Sequence, residues 1–335
     1  MLKVSVISGD GIGPEVISAA IRVVDSLGIG IEWEEVEFGQ SALESYGTPL
    51  PEKTERTIRQ NSVVLKGPVT NKGTITHGSP NQLIRSKFEL YAQVRMGKYY
   101  EGTRSKFPNT DIVVIRECLE DLYAGQEMEI GPKAAIAIKP ISWERSVKVS
   151  KFAFEFCIRN NRKKIVVGSK NKVLRLTDGM FVEAARKVSQ NYPDIKLEEI
   201  NIDALALHLV QKPENFDVIL LQNVYGDIIS GLVAGLTGGV GLAPGANFGD
   251  DVVAFEASHG SCPKYANLNK VNPTATILSA ALMVDHLGYS KAAAKIKVAI
   301  ENVIKEGKHV TYDLGGTAET QEMADAIIDS MCKLY

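Results

Sequence analysis

The stretch over residues 216–231 constrains the fold more than any other part of the chain. It begins with a short apolar run typical of a buried strand, at 216–221, and passes through Tyr225-Gly226-Asp227 into a helical pattern. An acidic residue just after a buried strand, where a helix begins, lies where α/β proteins bind their ligands. Asp227 is therefore a candidate metal ligand, although aspartate is also a common helix cap.

Strand-like and helix-like segments alternate along most of the chain, and such alternation predicts an α/β architecture. The length of 335 residues exceeds the usual size of one hydrophobic core, so two domains are expected. Beyond residue 240 the chain is predicted to be mostly loop as far as residue 273. The predicted strands cover 3–8, 31–38, 62–66, 90–94, 111–115, 164–168 and 216–221, and the predicted helices cover 16–27, 52–59, 147–160, 178–190, 275–287 and 290–305.

Charge and composition exclude several classes of function. With 38 basic and 40 acidic residues, the chain gives no reason to expect nucleic acid or a membrane surface as a partner. No segment approaches the roughly 18 apolar residues of a membrane span, and the N-terminal apolar run is too short for a signal-peptide core. The four cysteines lack CxxC spacing, so neither a zinc site nor a disulfide framework is indicated. We therefore expect a soluble, cytoplasmic enzyme.

A glycine-rich loop at 9–15 follows the first predicted strand. Its pattern is G-x-G-x-G followed by proline, whereas the dinucleotide fingerprint is G-x-G-x-x-G. The loop therefore argues against a Rossmann domain, although it still predicts a tight strand-to-helix turn that can approach a ligand closely.

Three arginines, Arg85, Arg95 and Arg116, suggest an anion site. Single arginines are mostly solvated at the surface, but Arg95 and Arg116 each follow a strand-like run, at 90–94 and 111–115. A guanidinium at the end of a buried strand is costly unless it binds an anion, and its planar fork suits carboxylates. The three together point to a substrate with two or three carboxylates.

Other polar side chains near predicted strands and loops are candidates for catalysis or binding. Tyr123 lies one loop beyond the third arginine, although a buried structural tyrosine is the more common case. Lys170 follows a predicted strand and could act as a general base if burial or nearby positive charge lowers its pKa. Asp203 offers another carboxylate at a strand-to-helix junction. His259-Gly260 is a candidate cofactor contact, although a lone histidine is more often structural.

Four motifs together carry a family resemblance. They are residues 9–15 (Gly-Asp-Gly-Ile-Gly-Pro-Glu), the three arginines, Tyr-Gly-Asp at 225–227 and the stretch 238–273. On these residues the chain resembles, essentially from end to end, the decarboxylating β-hydroxyacid dehydrogenases, a family of isocitrate, isopropylmalate and homoisocitrate dehydrogenases. Ser79-Pro-Asn81 matches the Ser-x-Asn of the isocitrate enzymes, whose side chains meet the substrate's extra carboxylate, whereas isopropylmalate enzymes have apolar residues there.

The resemblance implies an α/β fold of the isocitrate/isopropylmalate dehydrogenase type, distinct from a Rossmann domain. A large cofactor-binding domain would comprise 1–97 and 245–335, and a small domain would comprise 98–244, with the active-site cleft between them. An arm at about 133–145, around the weakly alternating segment 134–139, would form a dimer clasp. The implied assembly is a homodimer in which each active site is completed by the partner subunit.

The resemblance also implies which residues bind substrate and metal. A divalent metal, Mg²⁺ or Mn²⁺, would be held by Asp203 and Asp227 and would chelate the substrate's hydroxyl and carboxylate. Lys170, reaching across from the partner subunit, would remove the hydroxyl proton as hydride passes to the nicotinamide. Tyr123 would take part in the transfer of the proton that returns to carbon after CO2 loss. The tricarboxylate substrate would be bound by Ser79, Asn81, Arg85, Arg95 and Arg116.

Cofactor choice is predicted chiefly from three residues. Lys264, Tyr265 and Tyr312 resemble the residues that bind the 2′-phosphate of NADP, whereas NAD-using relatives usually have an acid at the first of these positions. A phosphate needs cationic and hydroxyl donors, which agrees with NADP. Gly316 stands where the family has an assisting arginine, and Asp313-Leu-Gly-Gly316 resembles the NAD-using relatives. NADP is therefore favoured by Lys264, Tyr265 and Tyr312, and dual use with NAD stays open. The implied cofactor-binding residues are His259, Gly260, Lys264, Tyr265, Asn272 and Tyr312.

The chain departs from the family pattern at four positions. Gly231 replaces the second acid of Gly-Asp-x-x-Ser-Asp, and a metal site that lacks one carboxylate should bind its cation more weakly. Lys172 replaces an asparagine two residues after Lys170, the lysine expected to be catalytic. Cys118 replaces the asparagine of the motif Arg-Glu-Asn, and Met96 replaces the proline of the motif Arg-Pro. Two hypotheses therefore stay open: a working NADP-dependent isocitrate dehydrogenase, and a non-catalytic regulatory subunit of a hetero-oligomeric one.

Overall fold

The structure, a computed structural model, describes residues 2–70 and 79–334. Within these residues a ten-stranded mixed sheet is covered by helices on both faces. The strands are β1 (Leu2–Ile7), β2 (Ile31–Glu35), β3 (Val63–Lys66), β4 (Ala92–Lys98), β5 (Asp111–Glu117), β6 (Glu127–Glu129), β7 (Ala135–Ala137), β8 (Lys164–Ser169), β9 (Lys196–Asn201), β10 (Val218–Leu221), β11 (Pro244–Phe248) and β12 (Val253–Ala257). The helices are α1 (Gly13–Asp25), α2 (Gln40–Tyr46), α3 (Glu52–Asn61), α4 (Pro80–Lys87), α5 (Trp143–Arg159), α6 (Thr177–Ser189), α7 (Ile202–Gln211), α8 (Asn223–Leu236), α9 (Thr274–His286), α10 (Ser290–Glu306) and α11 (Thr320–Cys332).

Two parallel halves meet at an antiparallel centre in the large sheet. The strand order is β2-β1-β3-β12-β11-β4-β5-β10-β8-β9. The first four strands are parallel to one another, and so are the last four, whereas each pairing from β12 through β11 and β4 to β5 is antiparallel. This topology confirms the expected α/β class and differs from the mostly parallel order of a Rossmann domain.

Helices cover both faces because the strands are apolar on both sides. β10, for example, is buried along its whole length and is a continuous apolar run. On one face, α1, α9, α10 and α11 enclose the core of the first half, and α5 and α6 enclose that of the second. On the other face, α3 and α4 cover one core, and α7 and α8 cover another. The middle of this face lies between α4 and α8 and belongs to neither core. Among the residues described, no helix is long and apolar enough to cross a membrane.

β11 and β12 correct the expectation that the chain beyond residue 240 is mostly loop. Each strand has only five residues, and β11 begins with proline, so neither shows a long apolar or alternating run. Their outer partners, β4 and β3, lie far away in the sequence, and pairing with them stabilises strands that the local pattern does not predict. The predicted helices also omit α2, α4 and α11, and for α7 and α8 the sequence predicts only a helix start, near Asp203 and Asp227.

The position of Arg95 also differs from the sequence expectation. The predicted strand ends just before Arg95, but β4 continues through Lys98. Side chains alternate between the two faces of a strand, so Val94 and Met96 pack into a core while Gln93 and Arg95 lie on the opposite face. Arg95 therefore stands in the middle of the sheet rather than at the end of a strand.

β6 and β7 pair antiparallel as a separate two-stranded ribbon outside the large sheet. Such a ribbon is only marginally stable by itself. The ribbon overlaps the predicted arm at about 133–145, whose role in dimer formation stays a prediction. The apolar side chains that it and its flanks expose are Met128, Ile130, Ile136 and Ile138.

Candidate active site

Central strands bring polar side chains together on the sheet face between α4 and α8. In the strand register, Gln93 of β4 lies opposite Arg116 of β5 on one side and opposite Asn247 of β11 on the other. Arg95, two residues beyond Gln93, is on the same face. Glu256 of β12 shares this face, since it accepts a hydrogen bond from Asn247 at 2.8 Å. The sheet thus presents a polar row at its centre.

The carboxylate of Asp227 is the meeting point of three predicted site residues. Its Oδ1 accepts hydrogen bonds from Arg116 Nη1 at 2.5 Å and from Arg95 Nη1 at 3.3 Å. Its Oδ2 accepts one from the Tyr123 hydroxyl at 2.5 Å. The N-cap of α8 is Gln222, so the alternative that Asp227 is a helix cap is wrong. We call Arg95, Arg116, Tyr123 and Asp227 the Asp227 cluster.

Positive charge is in excess around the Asp227 cluster. Burial by itself would raise the pKa of Asp227, but Arg116 and the other members of the cluster outweigh it and lower the pKa. Burial, and then the neighbouring Arg116 and Arg85, lower the pKa of Arg95 to about 10. One carboxylate beside three guanidinium groups leaves a site that favours a bound anion.

Arg116 is held in place beneath α8. Its Nε and Nη2 donate to Asn223 Oδ1 at 3.0 and 2.7 Å, and its Nη1 donates to Gln93 Oε1 at 3.2 Å. The helix can approach this closely because residue 226 is glycine: a Cβ at Gly226 would lie 2.5 Å from Arg116 Cγ. The Tyr-Gly-Asp motif therefore combines a carboxylate with the close approach that brings it to the arginine.

Arg85 of α4 belongs to a second ion-pair group. Its Nε donates to Asn247 Oδ1 at 3.2 Å, and its Nη2 lies 3.5 Å from Glu256 Oε1. Glu256 Oε2 also accepts a hydrogen bond from Lys66 Nζ at 2.5 Å. Burial would raise the pKa of Glu256, but Lys66 and Arg85 outweigh it and lower the pKa to about 2. The ionised Glu256 in turn allows Arg85 to be buried as a cation.

Several residues that hold these arginines are not among the sequence-predicted site residues. Lys66 ends an otherwise apolar strand and Gln93 lies between the buried Ala92 and Val94, and a polar side chain is buried in such a place only with partners. That interruption of the apolar pattern is the signal that could have found them. The residues missed are Lys66, Gln93, Asn223, Asn247 and Glu256.

Ser79 and Asn81 lie at the start of α4. Ser79 is the N-cap, and its hydroxyl accepts a hydrogen bond from Gln82 N at 3.2 Å. Asn81 precedes Arg85 by four residues and so shares its side of the helix. The side-chain oxygens of Asn81 and Gln82 are buried without a hydrogen-bond partner in the part of the chain that the structure describes. Residues 71–78, which precede this turn, lie outside the described residues.

Lys170 and Asp203 form a separate pair at the surface. Lys170 Nζ donates to Asp203 Oδ1 at 2.6 Å, and this hydrogen bond lowers the pKa of Asp203. Their side chains are 37% and 66% exposed. Over residues 2–70 and 79–334, neither side chain forms a hydrogen bond or ion pair with the Asp227 cluster. Their roles across a subunit boundary stay a prediction.

The three residues predicted to select NADP lie together. The rings of Tyr265 and Tyr312 stack with their centroids 6.0 Å apart, and Lys264 Nζ lies 5.0 Å from the Tyr265 centroid. Asn272 is buried, and its Nδ2 donates to Oδ2 of Asp313, the neighbour of Tyr312, at 3.0 Å. One cation and two phenol hydroxyls thus form a patch with the donors that a phosphate requires.

His259 and Gly260 follow β12. His259 Nδ1 lies 3.1 Å from the carbonyl oxygen of Gly260, and Nε2 is buried with no partner among the described residues. Burial lowers the pKa of His259, so the ring is neutral at pH 7. A neutral imidazole with an unpaired nitrogen can still bond a ligand.

Gly316 leaves no room for any side chain at this position. A Cβ there would lie 2.0 Å from the carbonyl oxygen of Val310. Any larger residue would require the backbone to move, so the backbone conformation itself excludes an additional cation from this position.

The carboxylates of the site supply only some of the ligands that a divalent cation needs. In the described ranges, no three Asp, Glu, His or Cys side chains converge as a metal site. Asp227 supplies one partly exposed carboxylate, and Gly231, one turn further along α8, faces open space where a second acid would stand. Mg²⁺ is usually bound through one or two carboxylates together with substrate oxygens and water. The donor chemistry of Asp227 therefore suits a cation whose remaining ligands come from elsewhere.

Known proteins share this fold. The family model described as isocitrate/isopropylmalate dehydrogenase matches residues 3–327, nearly the whole chain. The chain therefore belongs to this family of decarboxylating dehydrogenases, whose members use a nicotinamide cofactor and a divalent metal. The resemblance drawn from the sequence motifs is confirmed.

Individual relatives agree on the family and differ in activity. A 3-isopropylmalate dehydrogenase of Archaeoglobus fulgidus is 40% identical over 329 residues, which cover 98% of each chain. A mitochondrial regulatory subunit of the NAD isocitrate dehydrogenase of Dictyostelium discoideum is 39% identical over 97% of this chain and 91% of the relative. A crystal structure of isocitrate dehydrogenase from Methylococcus capsulatus superposes with a TM-score of 0.95 at 39% identity over 99% of each chain. The expected fold type is thus confirmed.

Proposed function

We propose that this chain catalyses the metal-dependent oxidative decarboxylation of isocitrate to 2-oxoglutarate with reduction of NADP. The observation that carries the proposal is the gathering of Arg85, Arg95 and Arg116 on one sheet face beside the polar turn at 79–82. A tricarboxylate offers carboxylates to these guanidinium groups, whose planar forks can each bind one through two hydrogen bonds. The polar turn favours a third carboxylate over an apolar substituent.

Substrate binding would exchange partners within the Asp227 cluster. Asp227 now pairs with both Arg95 and Arg116. A substrate carboxylate can replace it on both guanidinium groups, and the Asp227 carboxylate would then be available to a cation. Asp227, together with Asp203 of a second copy, would hold the divalent metal, which would polarise the carbonyl that forms from the substrate's hydroxyl.

Two side chains would handle protons. The Tyr123 hydroxyl, which donates to Asp227, would return a proton to carbon after CO2 leaves. Burial and the hydrogen bond to Asp227 raise the pKa of Tyr123, so its hydroxyl is protonated at neutral pH and can act as the acid. Lys170 of a second copy would accept the proton of the substrate hydroxyl as hydride leaves carbon.

The proposed cofactor site uses the tyrosine pair. Lys264, Tyr265 and Tyr312 would hold the 2′-phosphate of NADP, with His259, Gly260 and Asn272 along the rest of the cofactor. Because Gly316 excludes an additional arginine, the charge opposing the phosphate is smaller than in relatives that have one. The preference for NADP over NAD should therefore be moderate, and NAD should also be used.

A homodimer with shared active sites is the proposed assembly. Family members are commonly dimeric. Apolar side chains exposed on the β6–β7 ribbon and in the segment after Lys170 would be covered by the second copy. The proposed domains are the large one, 1–97 with 245–335, and the small one, 98–244, with the site at their junction.

Gly231 supports a second candidate function. With glycine at this position the chain lacks the second acid of the family pattern, and one relative is named as a regulatory subunit of a NAD isocitrate dehydrogenase. A regulatory chain would bind isocitrate through the three arginines without turning it over and would act within a hetero-oligomer. For an active enzyme, homoisocitrate and isopropylmalate are the alternative substrates, the latter named in another relative.

Turnover by the purified chain tests the proposal. Isocitrate, homoisocitrate and 3-isopropylmalate would each be supplied with Mn²⁺ or Mg²⁺ and with NADP or NAD, while absorbance follows the reduced cofactor. We expect turnover of isocitrate, faster with NADP. Arg95→Lys keeps the positive charge but loses the planar fork, so the KM for isocitrate should rise roughly tenfold or more.

The other outcomes are distinct. If the chain turns over only homoisocitrate or only 3-isopropylmalate, that compound replaces isocitrate as the proposed substrate. Binding of isocitrate without turnover, in a folded oligomer at high metal concentration, would favour the regulatory role.

A further inference from the structure

Lys139 lies just after the β6–β7 ribbon and is outside every set of site residues described above. Its side chain is 15% exposed, although it carries a charge. A charge is retained in such a place only with close partners. The partners of Lys139 come from three segments, and each of these segments carries one proposed site residue.

The contacts of Lys139 are short and buried. Its Nζ donates to Asp178 Oδ1 at 2.6 Å and to Gln222 Oε1 at 2.8 Å, and it lies 3.9 Å from Asp121 Oδ1. It also stands 4.7 Å from the centroid of the Tyr225 ring. The side chains of Asp121, Asp178 and Gln222 are at most 1% exposed. Movement of any one of these segments would expose or separate buried charge.

Asp178 carries the connection to Lys170. It lies in the first turn of α6, and its Oδ2 accepts a hydrogen bond from the backbone N–H of Lys170 at 2.6 Å. The same carboxylate therefore holds Lys139 through one oxygen and the Lys170 backbone through the other. The hydrogen bond from the Lys170 backbone to Asp178 therefore fixes the position of the Lys170 backbone, from which its side chain extends.

Asp121 and Gln222 carry the connections to Tyr123 and Asp227. Asp121 begins the 3₁₀ turn that contains Tyr123, and its carboxylate also accepts a hydrogen bond from Val224 N at 2.9 Å. The backbone N–H of Asp121 donates to the carbonyl oxygen of residue 140, next to Lys139, at 2.9 Å. Gln222 is the N-cap of α8, the helix that carries Asp227.

We infer that Lys139 is a positioning residue that fixes the segments bearing Tyr123, Lys170 and Asp227 relative to one another and to the ribbon. The roles of those three residues rest on the proposed function. Catalysis that depends on placement is sensitive to such a residue, because a displacement of about 1 Å can cost roughly a hundredfold in rate. Since Lys170 would act in the partner's site, Lys139 ties together parts of two active sites.

Three variants of the full-length chain test this inference. Lys139→Met removes the ammonium, whereas Lys139→Arg keeps a cation. Arg186→Met is the matched control, because Arg186 lies on the same helix as Asp178 and its loss breaks only an exposed ion pair with Glu199. Lys139→Met should lower kcat roughly 10- to 100-fold and change the KM for isocitrate by less than about threefold. Lys139→Arg should stay within about threefold of the wild type in kcat, and Arg186→Met should not change it.

Hydrogen exchange gives a readout that does not need activity. Mass spectrometry would follow exchange of the Lys170 backbone amide, which should be faster in Lys139→Met and unchanged in Arg186→Met. If Lys139→Met fails to fold, the double variant with Lys139→Gln and Asp178→Asn removes the closer ion pair as a unit, and only Asp121, 3.9 Å from Lys139 Nζ, loses its cation.

The outcomes separate this inference from the proposed function. Unchanged exchange at Lys170 in folded Lys139→Met overturns the inference, and so does a loss of kcat in Lys139→Arg equal to that in Lys139→Met. If the wild-type chain shows no turnover, the proposed function fails, and the exchange measurement alone decides whether Lys139 anchors Lys170.

Discussion

The Asp227 cluster and the Lys170–Asp203 pair contain ion pairs of nearly equal length in different surroundings. Arg116 Nη1 lies 2.5 Å from Asp227 Oδ1, and Lys170 Nζ lies 2.6 Å from Asp203 Oδ1. The Arg116 side chain is 1% exposed, whereas those of Lys170 and Asp203 are 37% and 66% exposed. Because water screens an exposed pair, equal distances here imply unequal energies.

This contrast suits the different roles proposed for the two regions. Arg116 is held in place by Asn223 and Gln93 and is pre-organised to bind an anion, because only its partner Asp227 has to be exchanged at binding. Lys170 can change partners at small cost, because water compensates its charge when Asp203 is lost. An exposed pair of this kind suits a residue proposed to act in the site of a second copy.

Replacement of Arg116 should have the largest effect. Arg116→Met leaves Asp227 without its main partner in a partly buried site, and breaking a buried ion pair lowers the free energy of unfolding by about 3–5 kcal/mol. Lys170→Met is the matched change at the exposed pair, and no measurable loss is expected there. Urea unfolding followed by circular dichroism measures both, and equal losses would break the comparison.

The buried region should also respond to acid in a defined range. The pKa of Glu256 is lowered from 4.5 to about 2, so the folded protein holds this carboxylate ionised at pH values where the unfolded chain binds a proton. The resulting stability is present above about pH 4.5 and is lost as the pH falls toward 2, a change of about 3 kcal/mol. Free energies of unfolding across this range, measured for the wild type and Glu256→Gln, check it.

The control for the acid response is Asp203→Asn in the exposed pair. It should leave most of the slope of stability against pH in place, whereas Glu256→Gln should flatten it. A Glu256→Gln profile with the wild-type slope would show that other carboxyl groups produce the acid response.

Two glycines of α8 separate the packed side of the helix from its open side. Gly226→Ala places a methyl group against Arg116, and overpacking of this kind costs about 1–3 kcal/mol. Gly231→Ala meets nothing within 4 Å and should instead stabilise the protein by about 0.5–1 kcal/mol, because alanine favours helix. Calorimetry should show shifts of Tm in opposite directions, and shifts of the same sign would contradict the close approach at Gly226.

A second carboxylate on α8 acts on metal binding rather than on folding and sharpens the metal assignment. Gly231→Asp adds an acid one helical turn from Asp227 on the same side, where there is open space. Ligand charge raises affinity for Mg²⁺, so the metal concentration at half-maximal rate should fall roughly tenfold, about 1.4 kcal/mol. Gly235→Asp, one turn further on and equally open, is the control. An unchanged or raised requirement in Gly231→Asp would contradict the interpretation of Gly231.

Much of this protein follows from the sequence by itself. Its motifs identify the family, and strand and helix patterns identify most of the regular elements, because these signals are local. Asp227 and Arg116 could be singled out in the same way, since each stands near the end of a buried strand or just beyond it. The unusual Gly231 is likewise visible without any structure.

Only the tertiary structure decided which of these residues meet. Gln93 aligns with both Arg116 and Asn247 because β4 pairs with β5 and β11 in one register, and a shift by one residue would turn its side chain to the other face. Lys139 comes from an arm with weak patterning, yet it joins three distant segments. Local periodicity reports which side of an element is buried, whereas register and the approach of helices depend on the packing of the whole chain.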